Sequence, residues 1–395
     1  MKTSDQPVLI IGAGVAGLML AQGLRLRSIP FRLFERHAVS HSSQGHRFRI
    51  SKDGQAALNS ILSPQLRGLL KRTAADPFLF KPRYVDAKSL NFASLSPADS
   101  DSMAIDRTWI RMLTMLGIEH AIEYGKEFSS YDIVNGHVHV RFTDGSVARG
   151  RLLVGADGIR SRVRKQLQPN RKLLDLERWV MWGRTLITQD LKKNLPQDMM
   201  SWCMYQDQEA NVQLVVEPMI FPKISQQEES EDMLPEIPDY IFWVVCTASL
   251  QYSEYLPQSV EEKKLFLEEV TKTWHPALKL LLDSAAHNLT SCAPVLSSKP
   301  DIELSSAGQA NKLVTLVGDA AHAMSPMGGS GGDTAIWNAA DLAQTIAKEG
   351  ITKRSITDFE VRMEKKAKEK IEHSFRGGQK FWRGKEWTEY NEINV

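Results

Sequence analysis

The stretch PVLIIGAGVAGLMLAQGLRLRSIPFRLFER, residues 7–36, decides how the rest of the chain is read. PVLIIGAG has the character of a short buried strand, VAGLMLAQGLRLR carries apolar residues at helical spacing, and FRLFER is a second strand. Together they form one βαβ unit of roughly the 30 residues such a unit needs. The glycines fall at Gly12, Gly14 and Gly17, after the strand and at the opening of the helix. Gly12 permits the tight turn, Gly14 lets the backbone approach a pyrophosphate, and Gly17 lets the helix pack on the strand. An anion bound there meets free N–H groups and the positive end of the helix dipole. Glu35 ends the second strand, where an acid can accept hydrogen bonds from both ribose hydroxyls of an adenosine and disfavours a 2′-phosphate. The nucleotide expected here is NAD or FAD.

The chain has 395 residues, more than twice a usual domain of about 150, so two units sharing a core are expected. Its 49 basic residues nearly balance 47 acidic ones, leaving a formal charge of +2. No global field attracts nucleic acid or an anionic membrane, and a small neutral or weakly acidic partner fits better. Cys203, Cys246 and Cys292 lie far apart without CxxC spacing or clustered His, which argues against a metal site or disulfide framework. A reducing compartment follows, and the cytoplasm is the expected location. The apolar run 8–24 is broken by Gly12, Gly14, Gly17 and Gly23 and lacks a basic leader, while the tail GGQKFWRGKEWTEYNEINV is polar. No stable membrane insertion is expected. Oligomeric state is not legible.

Residues 53–75 read as a helix with Leu58, Ile61, Leu62, Leu66, Leu69 and Leu70 on its apolar face. Residues 77–96 have strand-and-turn texture, and DRTWIRMLTMLGIEH returns to helix. HVHVRFTDGSVARGRLLVGADG gives two strands joined at Asp144-Gly145 and then a third. Residues 178–250, rich in β-branched and aromatic side chains, suggest an antiparallel sheet separate from the parallel one. Within them 225–239 reads as a solvated acidic loop, and 258–283 and 355–376 read as helices.

Two later motifs extend the first. LLVGADGIRSRVR, 152–164, is a strand running into Asp157-Gly158 and a helix start with Ser161 and Arg164. LVTLVGDAAHAMSPMGGSGGDTAIWNAADL, 313–342, is a strand ending in Gly318-Asp319, then a glycine-rich loop feeding a helix from about Gly331. GxGxxG with a strand-end acid, then DGxxSxxR, then GDAAHxxxPxxGxG, in this order, resembles the class A flavoprotein monooxygenases of the para-hydroxybenzoate hydroxylase type. The likeness extends to fungal secondary-metabolite hydroxylases.

The resemblance implies an α/β fold: a Rossmann-like FAD-binding domain with a parallel sheet, a mixed or antiparallel-sheet substrate domain, and a C-terminal helix. On that pattern 1–76, 100–175 and 293–350 form the FAD-binding domain, 77–99 and 176–292 the substrate domain, and 351–395 a helical C-terminal segment. One non-covalent FAD would span both glycine-rich ends. Gly12, Gly14, Ala16, Gly17, Glu35 and Arg36 would hold the ADP half. Asp319 would reach the ribityl or pyrophosphate groups, Pro326 would flank the isoalloxazine, and Gly329, Gly331 and Gly332 would bring N–H groups to N1 and O2, where reduced flavin is negative. Arg107 matches an arginine that contacts the FAD backbone. Arg47 and Arg49 fall near the flavin and incoming nicotinamide. Asp157 marks where NADPH or NADH would dock transiently, since no second GxGxxG exists.

The implied reaction is oxygen insertion from O2, through a flavin C4a-hydroperoxide, into an aromatic or other electron-rich small molecule, and the cofactor carries the hard chemistry. Arg49, Pro326 and Gly331 would then position flavin and substrate. Trp182, Arg184, Trp202, Tyr205, Phe242 and Trp243 are candidates for a substrate pocket, and His322 for a brace of its loop. Two positions depart from the family pattern: Asp333 stands where Asn is usual, and Asn338 where Asp is common. Asp333 is expected to cap its own helix; the alternatives are a carboxylate close to N1 or a network shared with Asn338. An FAD oxidase, reductase or halogenase of the same fold is the alternative enzyme, though WVMWGR does not supply a halogenase WxWxIP. A non-catalytic flavin-binding protein is the alternative outside enzymes.

Overall fold

A computed structural model describes residues 6–38, 45–75, 81–96, 101–222, 236–304 and 312–395. Most of the acidic loop expected at 225–239 lies outside the described residues. Five parallel strands lie in the order Val314–Leu316, Leu152–Gly155, Val8–Ile11, Phe31–Glu35 and Ile122–Tyr124. The segments VTL, LLVG and VLII are wholly buried, as strands covered on both faces must be. Helices Val15–Leu26 and Gly331–Glu349 pack together on this sheet, so the first and last glycine-rich motifs are neighbours.

A second, eight-stranded sheet runs Ser291–Ser297, Leu173–Leu186, Tyr240–Ala248, Val212–Met219, Cys203–Asp207, Arg83–Asp86 and Phe92–Leu95, with Asn391–Ile393 added on Leu173–Leu186. It is antiparallel except where Cys203–Asp207 pairs parallel with Arg83–Asp86, so it is mixed. A meander of Phe128–Val134, His137–Phe142 and Val147–Gly150 and a ribbon of Arg47–Ile50 with Met103–Asp106 complete the strands. This is the α/β architecture that the motifs implied.

Two expected helices are divided, each for a physical reason. The helix read over 53–75 is two, Lys52–Ile61 and Pro64–Arg72, because Ser63 caps and Pro64 opens a new helix. The helix read over 258–283 likewise breaks before Pro276, which starts Pro276–Asp283 behind its cap His275. The expected boundaries at 175/176 and 292/293 fall inside the strands Leu173–Leu186 and Ser291–Ser297. The C-terminal segment holds a 30-residue helix, Lys353–Trp382, and then returns to the mixed sheet through Asn391–Ile393.

Candidate active site

The three motifs meet at the carboxyl ends of parallel strands, where ligands bind in open α/β sheets. Gly12 has φ +105°, and a Cβ added to it would stand 2.5 Å from Ala156 O. One added to Gly17 would stand 2.0 Å from Gly12 O, and one on Gly318 2.8 Å from the Ala16 methyl. GAGVAG therefore touches both GADG and GDAAH through backbone that tolerates no side chain. A Cβ on Gly14 would meet nothing within 4 Å, which leaves open space above the loop. Glu35 closes the loop from the next strand: Oε2 accepts from Ala13 N at 2.8 Å and Oε1 from His37 N at 2.9 Å. Arg36 is exposed and lies against His37.

Helix N-termini separate this region from the rest of the chain. Each helix begins with N–H groups that lack intrahelical acceptors. A side chain caps Lys52–Ile61, Pro64–Arg72, Arg107–Met115, Arg162–Leu167, Gln189–Asn194, Val260–Val270, Pro276–Asp283 and Lys353–Trp382. Val15–Leu26, Asp319–His322 and Gly331–Glu349 have no side-chain cap. Among the described α-helices, the uncapped ones are those that carry the glycine motifs, and their main-chain donors remain available to a ligand. An extended dinucleotide with anionic and carbonyl acceptors along its length fits such a set.

Charged groups sit beside these donors. Asp319 is exposed at its helix start, and Arg107 opens the helix Arg107–Met115 close enough for the two charges to interact. Burial lowers the Arg107 pKa, and Asp319 and Asp106 oppose that shift. Asp157 is bound within its own motif: it accepts from Ser161 Oγ at 2.5 Å, Arg162 N at 2.8 Å and Val163 N at 3.3 Å, while burial pushes its carboxyl up. Arg164 ties two motifs, donating to Ile159 O at 2.6 Å and Ala320 O at 3.4 Å. His322 is fully buried, its ring against Asn338 Oδ1, and burial lowers its pKa.

Pro326 and Gly329 are exposed on a short turn, Pro326–Gly328, that leads to Gly331 and Gly332 at the uncapped start of Gly331–Glu349. The C-terminal helix supports the turn from below: a Cβ on Gly377 would stand 2.8 Å from Met327 O. Phe48 lies against Gly332, where a Cβ would overlap its ring. Asp333 corrects an expectation. It does not cap its own helix; both carboxylate oxygens accept from Ser51 N, at 3.1 and 3.2 Å, at the start of Lys52–Ile61. Burial pushes the Asp333 carboxyl up and the Ser51 bonds oppose it. Nor do Asp333 and Asn338 share a network, because Asn338 serves His322.

Opposite lies one face of the mixed sheet. Arg47 and Arg49 both pair with Glu217, whose side chain is 2% exposed, and the Arg47 guanidinium carbon is 5.3 Å from the Phe242 ring centroid. The Tyr240 hydroxyl donates to Asp106 Oδ2 at 2.8 Å, with the His46 carbonyl 2.9 Å away. Burial and then the Arg184 charge hold the His46 imidazole down at about 4, while burial pushes Asp106 up. Glu217, Tyr240, Asp106 and His46 were not singled out in the sequence. A lone acid in VQLVVEPM was the available signal for Glu217.

The expected pocket residues divide by strand parity. Phe242 joins Tyr240, Met219 and Ala104 on the inner face, with Trp182 packed on them; Tyr205 and Trp243 instead sit in the outer core against Phe266, Leu278 and Leu281. Trp202 meets Tyr84 edge-on, 6.4 Å between centroids. Tyr205 and Trp243 are therefore removed from the pocket. Among the described residues no group of three His, Cys, Asp or Glu could hold a metal, and no helix is long and apolar enough to cross a membrane.

Residues 113–350 match the family described as FAD binding domain. The chain is 33% identical over 86% of its length to the dual O-methyltransferase/FAD-dependent monooxygenase elcB of Phaeosphaeria nodorum, covering 40% of that protein. It is 30% identical over 99% of its length to a dual O-methyltransferase/FAD-dependent monooxygenase of Cercospora beticola, covering 48% of it. The chain thus spans less than half of these relatives. A crystal structure of a candidate FAD-containing monooxygenase from Photorhabdus luminescens superposes with a TM-score of 0.82 at 27% identity, over 96% of this chain and 99% of that one. The converging glycine motifs and the match over most of the chain lead to one conclusion: the chain belongs to the FAD-binding-domain family, with the class A flavin-dependent monooxygenases.

Proposed function

We propose that this chain is an NAD(P)H-dependent FAD monooxygenase that uses O2 to insert one oxygen atom into an aromatic or other electron-rich small molecule. The observation that carries the reading is the coincidence of the uncapped helix N-termini with the first and last glycine motifs. FAD, held non-covalently, would supply the redox chemistry of nicotinamide oxidation and oxygen activation. The protein's share is to bind, orient and exclude water.

Gly12, Gly14, Ala16 and Gly17 grip the pyrophosphate through main-chain N–H groups, and Glu35, with Arg36 beside it, holds the adenosine ribose. Arg107 and Asp319 fix the middle of the cofactor. Gly331 and Gly332, which open the helix after the turn at Pro326 and Gly329, would offer N–H donors and a helix dipole to the negative charge of a reduced flavin. Asp157 fixes the turn along which NADPH or NADH docks. Arg47, Arg49 and Glu217 form the polar wall on the substrate side. Phe48, Phe242 and Trp182 keep that region apolar. The three free cysteines and a nicotinamide reductant suit a cytoplasmic setting.

Purified yellow protein tests the reading. The expected result is NADH or NADPH oxidation with O2 uptake and an oxygenated product, and release of the chromophore on acid denaturation. Bound FAD that neither nicotinamide reduces would indicate a binding protein, and O2 uptake without oxygenated product an oxidase.

A further inference from the structure

His322 ends the short helix Asp319–His322, and Asn338 lies within Gly331–Glu349; both side chains are 0% exposed. The imidazole Nε2 meets Asn338 Oδ1, so one buried contact joins the segment bearing Asp319 to the helix that opens at Gly331 and Gly332. A carboxamide oxygen only accepts, which makes Nε2 the donor. His322 Nδ1 and Asn338 Nδ2 find no partner among the described residues. Two unmet polar atoms in the interior cost stability that a pair of apolar side chains would not, so stability does not account for the pair.

The charges around the ring are of both signs. Burial is the largest influence on His322 and drives its pKa down; the Asn338 bond and the Asp319 charge pull the other way, and Arg171 adds to the fall. Arg171 donates to Ala321 O and Ser298 Oγ, and Arg164 to Ala320 O at 3.4 Å, so two guanidiniums hold the carbonyl side of this segment. The acids of the long helix are turned elsewhere, Asp333 to Ser51 N and Asp341 to Arg362. What that helix presents to the ring is the uncharged amide of Asn338. A buried imidazole with no carboxylate against it stays neutral.

We propose that Asn338 is a positioning residue: it holds His322 as an uncharged imidazole, ties the Asp319 segment to the Gly331 helix, and so keeps the cofactor site free of a proton-driven change in charge. The inference rests on reading that site as the seat of FAD. An aspartate in the same place would act differently, since a buried carboxylate facing an imidazole favours the imidazolium. The ring would then carry charge at low pH and lose it at high pH, leaving an unpaired buried carboxylate to repel an anionic ligand. Affinity would fall as pH rises through that titration.

The FAD-loaded protein, isotope-labelled at the histidine nitrogens, is titrated by NMR from about pH 5.5 to 9, an interval that brackets ordinary imidazole titration. Dissociation constants for FAD are measured over the same interval. Wild-type His322 is expected to keep the nitrogen shifts of a neutral Nε2–H tautomer throughout. Asn338→Asp should show an imidazolium at the acid end that is lost at the alkaline end. Its FAD affinity, taken as a ratio to wild type at each pH so that shared groups cancel, should fall about tenfold across the interval. Asn338→Leu removes the link without adding charge, and should weaken FAD by one factor at every pH. A wild-type His322 that becomes protonated within the interval overturns the inference, as does a flat affinity ratio in Asn338→Asp or wild-type affinity in Asn338→Leu. The wild-type titration decides even where a variant fails to fold. A chain that takes up no FAD while His322 stays neutral would keep the pair and sink the monooxygenase reading. FAD that is bound and reduced while His322 titrates would do the reverse.

Discussion

At the carboxyl end of the parallel sheet the polar groups on offer belong to the main chain, while on the inner face of the mixed sheet they belong to side chains. The first region offers N–H groups from three uncapped helices and a loop where Gly12 and Gly17 admit no Cβ. The second offers Arg47, Arg49, Glu217, Arg184, Trp182 and Tyr240. Main-chain donors are the same whatever the residue, so they suit a ligand that never changes. Side chains can be exchanged one at a time, which suits the surface that selects a substrate.

The largest expected effect breaks the first region alone. Gly12→Ala combines a left-handed backbone with a contact 2.5 Å from Ala156 O, a cost of roughly 2–5 kcal/mol. The variant should be recovered colourless or unfolded; a normal flavin-to-protein absorbance ratio would contradict the close approach. Glu217→Gln strikes the second region. Removing the anion leaves Arg47 and Arg49 facing each other, with a loss of about 3 kcal/mol in unfolding free energy, because breaking a buried pair strands its partner. Its FAD content should stay near that of the wild type, and joint loss of flavin would show that the two regions are not independent.

Acid supplies a third test. The His46 imidazole is held near 4 in the fold against an ordinary 6.5, so the unfolded chain takes up its proton first. This contribution is constant above about pH 6.5 and falls as pH drops toward 4, by up to about 3 kcal/mol. His46→Gln should flatten that limb of a denaturant-midpoint-against-pH curve, and an identical slope would remove His46 as its source. Asp319→Ala is smaller: FAD affinity should fall about ten- to a hundredfold, with the apoprotein's melting temperature nearly unchanged since the side chain is exposed. Asp333→Asn is smallest. A carboxamide oxygen still accepts from Ser51 N, so a redox titration should show a flavin potential within ~30 mV of wild type, about 1.4 kcal/mol on a two-electron couple.

The two regions also differ in how far they could be read from residues alone. GAGVAG, its strand and Glu35 are local in the chain, and the later motifs sit at strand ends, so the parallel unit follows from spacing. The inner face of the mixed sheet depends on which residues of separate strands share a side. Phe242 and Trp243 are adjacent in sequence yet lie on opposite faces, and composition does not say which faces in. The partners of Arg47 and Arg49 come from Glu217, far along the chain, and Asp333 found its acceptor role at Ser51 rather than at its own helix. Pairings of this kind require the register of the fold.

The helix Lys353–Trp382 touches both regions. Glu360 near its start binds Lys312 at 2.7 Å and Thr315 at 2.9 Å beside the parallel sheet, Gly377 backs the turn at Met327, and its last carbonyls accept from Asn211 and Gln213 of the mixed sheet at 2.8 and 2.7 Å. It acts as a ruler as well as a wall. At 1.5 Å and about 100° per residue, one residue inserted between Glu360 and Gly377 would slide and rotate the far anchors relative to the near ones. The separation between the glycine loops and the inner face of the mixed sheet is thus written into the number of residues in one helix, a length that substitution can tolerate and insertion cannot.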